Sequence, residues 1–297
     1  GDISSEQPVV YEPNVMDIDF DALIANETDS TLKDMHEYFR DRTPTEKNQY
    51  TGMFQGKNLL LFTGEAFWIG AVNEQYTPTL YKLAHSGFVF ENFYNPLWYY
   101  STVDGEYAAT TGLIPTNQVN ASQRYAGKNG VSMYFSMGNQ LRALGYPTLA
   151  YHNNTANYYD RNLSHPNLGY DFYACDTGLD VAMTWPQSDL EMMQLTLPQA
   201  LAGEKPFHNY YMTVSGHMNY SFAGNAMSAK HRDEVADLDM SEAARAYLAC
   251  NMELDQALEY TIKTLEEAGE LENTVIVLSG DHYPYGLDGT GAIDELA

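Results

Sequence analysis

Four places in the sequence put reactive side chains directly after apolar runs or at the start of a helical segment. Glu65 follows Asn58-Leu59-Leu60-Leu61-Phe62, the pair Asp281-His282 follows Val275-Ile276-Val277-Leu278, and His217 follows the run Tyr210 to Val214. Ser101 and Thr102 open a helical stretch after Trp98-Tyr99-Tyr100. Two carboxylates and an imidazole form a mixed O/N donor set suited to Mn²⁺, Mg²⁺ or Zn²⁺; the same residue types are equally those of structural turns. A hydroxyl at a helix start either caps it, with acidic residues in the first turn, or sits where free N–H groups and the dipole favour a phosphate. Next to a cation, a threonine hydroxyl loses its proton more readily and becomes a competent nucleophile.

The elements that must position these groups alternate. Continuous apolar runs at Asn58 to Phe62, Phe88 to Phe90, Pro147 to Tyr151, Tyr210 to Val214 and Asn273 to Leu278 read as buried strands. Helical patterns lie between them: from Thr77-Pro78 toward Gly87, Val103 to Thr111, Ser136 to Leu144, Asp189 to Ala202, and Ser241 to Ala268 closed by Gly269. This alternation predicts an α/β fold, a mostly parallel central sheet sandwiched by helices. Ligands of such sheets bind outside the carboxyl ends of the strands, which is where Glu65, His217, Asp281 and His282 fall. Residues 1 to 56 are mixed and polar, with prolines at 8, 13 and 44 and one helical stretch near Thr31 to Phe39. They read as an irregular lead-in, and 57–297 as the catalytic domain.

Of 297 residues, 40 are Asp or Glu and 15 are Lys or Arg, a net charge of −25 that repels a phosphate backbone and argues against nucleic acid as a partner. The longest apolar runs are far shorter than the roughly 18 to 20 residues of a spanning helix. The two cysteines, Cys175 and Cys250, have no zinc or redox spacing, and either remain free or form one disulfide.

From about Gln55 to Tyr285 the order and spacing of motifs resemble the extracellular catalytic domain of the lipoteichoic acid synthase family, in the sulfatase and alkaline phosphatase-like superfamily. The motifs are Lys57-Asn58-Leu59 through Glu65, Thr77-Pro78-Thr79-Leu80, Phe90-Glu91-Asn92-Phe93, Ser101-Thr102-Val103-Asp104-Gly105-Glu106 and Tyr151-His152-Asn153-Asn154. Tyr158-Tyr159-Asp160-Arg161, Asn167-Leu168-Gly169-Tyr170-Asp171, Ser215-Gly216-His217 and Gly280-Asp281-His282-Tyr283 follow. The resemblance implies that Glu65, Thr102, Asp281 and His282 ligate one divalent cation, Mn²⁺ first, and that Thr102 is the nucleophile. It implies that Arg161 and His217 hold phosphate oxygens and that His152 and Tyr159 line a glycerol phosphate pocket. Alternatively, Arg161 pairs with Asp160 or Asp171 at the surface, and His152 is a satisfied strand-end histidine.

The activity so implied takes glycerol phosphate from phosphatidylglycerol and passes it to a growing glycerol phosphate polymer. It would take place on the outer face of a Gram-positive cell membrane, with an anchor preceding Gly1 and further strands following Ala297. Ser101 stands where many members carry a basic residue, and Tyr159 where they carry Trp. The Cys-x-Pro-x-Arg sequence of formylglycine sulfatases is absent. Other readings are a different alkaline phosphatase-like phosphotransferase or phosphodiesterase, a sulfatase-type hydrolase, and a non-catalytic glycerol phosphate-binding module.

Overall fold

The computed structural model describes residues 10–297 apart from positions 17 and 96, so the first nine residues of the lead-in, Asp17 and Pro96 lie outside it. Gly1–Gln55 and Gly56–Ala297 are separate units. In the first, helices α1 (Phe20–Asn26) and α2 (Ser30–Arg40) start at Asp19 and Asp29, whose carboxylates accept backbone N–H groups of the first turn. Neither helix buries a residue. A single bridge joins Pro13 to Glu46.

The second unit is built on five strands, β1 (Asn58–Gly64), β2 (Thr148–His152), β3 (Asp171–Ala174), β4 (His208–Met212) and β5 (Thr274–Gly280), in the order β3-β2-β4-β1-β5. Every pairing is parallel, as the alternating pattern predicts. Helices α3 (Pro78–Ala84), α4 (Ser101–Thr111), α5 (Val119–Asn129), α6 (Met137–Ala143), α7 (Arg161–Asn167), α8 (Asp189–Ala202), α9 (Ala226–Lys230), α10 (Glu242–Glu267) and α11 (Ala292–Leu296) complete it. Among the described residues no helix is long and apolar enough to cross a membrane.

Period-two alternation sends β1 side chains to two cores. Leu60 and Phe62 pack with Tyr151 and Tyr211 against Met192, Met193 and Leu197 of α8 and Leu254 and Leu258 of α10. Leu61 faces the other way, with Ala150, Tyr210 and Met212 against Leu168 and Tyr170. Ser188 and Ser241 cap α8 and α10 by accepting from Glu191 N–H and Ala244 N–H, and Gly269 takes the left-handed φ of +70° just beyond α10.

One sequence expectation needs correction. Phe88-Val89-Phe90 is not a strand: the three residues are exposed and join no ladder, because three apolar residues do not pair unless a sheet edge is within reach. The fifth strand is instead Asp171–Ala174, a short edge strand whose sole partner in the sheet is β2. The open choice at the cysteines falls to free thiols, Cys250 buried and Cys175 partly so.

Candidate metal and phosphate site

Strand register sets the site. Gly64 of β1 lies opposite Gly280 of β5, so the next residues, Glu65 and Asp281, leave the sheet side by side. Asp281 Oδ1 accepts the N–H of Ala66 at 2.7 Å and of His282 at 2.8 Å, locking the two turns together. His282 Nε2 lies 3.5 Å from Glu65 Oε1 and 3.4 Å from Asp281 Oδ2. One donor atom from each of Glu65, Asp281 and His282 falls within 4.8 Å of the others, and all three residues are buried.

Thr102 reaches this cluster from α4, its Oγ1 3.4 Å from His282 Nε2. The helix can come so close because position 105 is glycine: a Cβ there would lie 2.1 Å from the Asp281 carbonyl oxygen. Neither Ser101 nor Thr102 caps α4. The N-cap is Tyr100 and makes no side-chain cap, while Asp104 accepts the Tyr100 N–H at 2.9 Å. The two hydroxyls are thereby spared for other work. Ser101 itself sits at φ +33°.

The donor set fits a divalent cation. Two carboxylates, an imidazole and a hydroxyl converge without a lysine or arginine among them, and Asp281 Oδ2 is buried yet accepts no hydrogen bond. His282 Nδ1 donates to the Tyr283 carbonyl at 2.9 Å, which fixes the tautomer that offers the Nε2 lone pair to the cluster. Burial raises the Asp281 carboxyl well above the usual range, and the charge of Glu65 adds to this. Burial would lower His282, but Glu65 and Asp281 push it up to about 9. A proton therefore occupies this cluster where a cation would compensate the two carboxylates, and cation uptake would release it.

His217 follows β4. Position 216 is glycine because a Cβ would meet the Glu65 carbonyl oxygen at 2.3 Å, so the loop crosses directly over β1's end. His217 Nδ1 donates to the Met218 carbonyl at 2.6 Å and its ring packs edge-on to Trp185, centroids 4.9 Å apart. At the end of β2, His152 Nδ1 donates to the Met212 carbonyl at 3.0 Å. Burial, then the charge of Arg161, lowers His152 far below its ordinary value, so it is a neutral imidazole with Nε2 uncommitted. His152 is thus tethered as a strand-end histidine, but through one nitrogen only.

Arg161 is buried at 1% exposure and pairs with neither Asp160 nor Asp171. Those carboxylates are taken by Arg124 and Arg142. Its partner is Glu106 of α4, contacted by Nε at 3.2 Å and by Nη2, with Nη1 donating to the Tyr158 carbonyl at 3.3 Å. The guanidinium stacks 5.3 Å from the Tyr159 ring centroid, and burial raises the Tyr159 phenol to about 12.

Three supporting residues escape a reading from sequence. Glu106 looks like a helix-surface acid until its arginine, 55 residues away, is placed. Asp189, at the start of α8, accepts Val214 N–H at 2.9 Å, Ser215 N–H at 3.2 Å, the Ser215 hydroxyl and Asn153 Nδ2 at 3.0 Å, tying the His152 and His217 loops together. Tyr285 packs on the His282 ring at 4.9 Å. Only its closeness to the Asp-His pair could have drawn attention to it.

A parallel sheet thus carries acidic and imidazole side chains at the carboxyl ends of adjacent strands, with a hydroxyl on a nearby helix. The Sulfatase family model matches residues 57–294, and the chain belongs to that family. The chain is 23% identical over 269 residues to lipoteichoic acid synthase 2 of Bacillus subtilis, covering 86% of this chain and 39% of the relative. It thus spans about two fifths of that relative's length. Its fold matches lipoteichoic acid synthase LtaP of Listeria monocytogenes with a TM-score of 0.65 at 23% identity, over 79% of this chain and 58% of that one. A protein of the alkaline phosphatase superfamily from Vibrio parahaemolyticus matches at 0.59 and 20% identity, over 77% and 55%.

Proposed function

We propose that the unit 57–297 is the catalytic domain of a metal-dependent phosphoglycerol transferase that takes glycerol phosphate from phosphatidylglycerol for a lipoteichoic acid-type polymer. In this reading Glu65, Thr102, Asp281 and His282 hold one divalent cation, with Mn²⁺ the first choice and Mg²⁺ or Zn²⁺ compatible with the same donors. When bound, the cation would acidify the Thr102 hydroxyl and offset negative charge on the phosphate. The observation that carries the reading is the convergence of Glu65, Asp281 and His282 with the Thr102 hydroxyl at 3.4 Å from His282 Nε2. The lipoteichoic acid synthases among the relatives supply the substrate class.

Thr102 Oγ attacks phosphorus, the bond from phosphorus to the diacylglycerol oxygen breaks, and the threonine proton passes to water. Arg161 and His217 hold phosphate oxygens, and His217 hands a proton to the departing oxygen. His152 and Tyr159 line the glycerol side. A terminal hydroxyl of the polymer then attacks the same phosphorus, the bond from phosphorus to Thr102 Oγ breaks, the hydroxyl proton restores His217, and Thr102 Oγ regains its proton from water. The proposed place of action is the outer face of a Gram-positive cell membrane. A local cation with Arg161 offsets the −25 charge for an anionic lipid.

Thr102→Ala is expected to reduce diacylglycerol release from phosphatidylglycerol vesicles by at least about 10³-fold with Mn²⁺ affinity only modestly weakened. Equal release by the parent and Thr102→Ala proteins, both Mn²⁺-loaded, would remove Thr102 as nucleophile.

A further inference from the structure

A buried guanidinium has five N–H donors to satisfy, and Arg161 satisfies only some of them within the protein. Glu106 takes the Nε hydrogen and one on Nη2, and the Tyr158 carbonyl takes one on Nη1. Among the described residues nothing takes the other two, one on each terminal nitrogen, at a residue only 1% exposed. Two unmatched donors on the fixed plane of a guanidinium can grip two oxygens of one phosphate.

The choice of counter-ion is specific. Asp160, next in sequence, is drawn off by Arg124 at the surface, and Asp171 by Arg142. Glu106 comes from α4, four residues and about 6 Å of helical rise beyond Thr102. His165 lies 3.8 Å from the Glu106 carboxylate but remains neutral, pushed down to about 3 by burial and then by Arg161, so no second cation competes for Glu106. One rigid helix therefore carries both the attacking hydroxyl and the carboxylate that sets the orientation of the arginine.

We propose that Glu106 is the positioning residue of the phosphate site, holding the inner edge of Arg161 so that its two outer N–H groups face two non-bridging oxygens of a phosphate ester. This rests on the phosphate-holding role of Arg161 in the proposed transfer. It makes a prediction of sign that simple electrostatics does not. A carboxylate near an anion repels it, so a purely structural Glu106 would, on losing its charge, leave anion affinity unchanged or improved. As a positioning residue, its neutralisation weakens binding.

The test measures glycerol phosphate binding to the Mn²⁺-loaded protein by calorimetry. Glu106→Gln is expected to weaken binding by about tenfold while leaving Mn²⁺ affinity within about twofold, as Glu106 is not among the cation donors. Glu106→Asp keeps the charge but retracts it by one methylene, and is expected to fall between the two; it serves as the measurement should the Gln protein not fold. Arg161→Lys is expected to weaken binding equally, and the double variant no further, since both substitutions remove one contact. Unchanged or tighter glycerol phosphate binding in Glu106→Gln or Glu106→Asp, or additive losses in the double variant, overturns the role. The two readings fail separately. An inactive Thr102→Ala with undiminished binding in Glu106→Gln leaves the transfer and removes Glu106. An active Thr102→Ala with weakened binding in Glu106→Gln removes the transfer and leaves a phosphate site aimed by Glu106.

Discussion

Two of the buried clusters of carboxylate and imidazole look alike in composition and differ in what they leave unmet. In the first, Glu253 of α10 is fully satisfied: Oε1 accepts the Ser188 hydroxyl, and Oε2 accepts Lys230 Nζ at 2.6 Å and His231 Nε2 at 2.9 Å. His231 spends its other nitrogen on Glu234 at 2.7 Å. Two acids thus meet two bases, and no polar atom is left over. In the second, Glu65 and Asp281 share one imidazole, and Asp281 Oδ2 accepts no hydrogen bond although it is buried. Burial of charge is tolerated when it is paired and costs heavily when it is not. A balanced cluster is a fastening between helices. The unbalanced one, with a hydroxyl on its rim, is the cluster proposed to hold a cation beside the phosphate.

Substitutions with opposite expected signs test that contrast. The largest effect belongs to Asp281→Asn. The amide retains Oδ1 for the Ala66 and His282 N–H groups and replaces only the oxygen without a hydrogen bond. Mn²⁺ affinity, read by calorimetry, is expected to fall more than about 100-fold, and diacylglycerol release with it. The denaturant midpoint of the metal-free protein stays level or rises, since two buried carboxylates no longer face each other. Glu253→Gln is expected to do the reverse. It strips the acceptor from Lys230 and His231 and lowers the unfolding free energy by about 3 kcal/mol, with Mn²⁺ affinity within about twofold of the parent. An Asp281→Asn protein as destabilised as Glu253→Gln would make both clusters structural.

How far the sequence could carry this contrast follows from range. Glu65, Asp281, His282 and His217 each sit directly after a run of apolar residues, so their place at the carboxyl ends of a parallel sheet follows from local pattern alone. Thr102 is legible as a helix-start hydroxyl, and the family motif orders it with the rest. What pattern could not supply was partnership. Asp160 and Asp171 are near Arg161 in sequence and were the natural candidates for it. Glu106 holds it instead, because α4 and α7 are brought together by packing that no local periodicity encodes. The strand expected at Phe88-Val89-Phe90 fails and the strand Asp171–Ala174 goes unforeseen for the same reason: a strand forms where the fold brings it to a sheet edge, and it is Asp171–Ala174 that pairs with β2.

The smallest expected effect is a pH dependence confined to the balanced cluster. Burial would raise the Glu253 carboxyl, but hydrogen bonds from His231, Lys230 and Ser188 hold it down to about 2. Burial would lower His231, but Glu253 and Glu234 raise it above its ordinary value. The depressed carboxyl contributes stability above its unfolded value near 4.5 and loses it as pH falls toward 2. The raised imidazole contributes in full below 6.5 and loses its contribution as pH rises through its folded value. Both act fully between those limits. Asp189, pushed up to about 6 chiefly by burial, and His282, at about 9, titrate nearby in pH and must be cancelled. The unfolding free energy of the parent minus that of His231→Gln does so, because groups common to both proteins drop out. This difference is expected to shrink as pH rises above 6.5 and through the raised folded value of His231, and to shrink equally in an Asp281→Asn background. Shrinkage that vanished with Asp281→Asn would mean that the two clusters titrate as one, and the distinction between fastening and binding site would not hold.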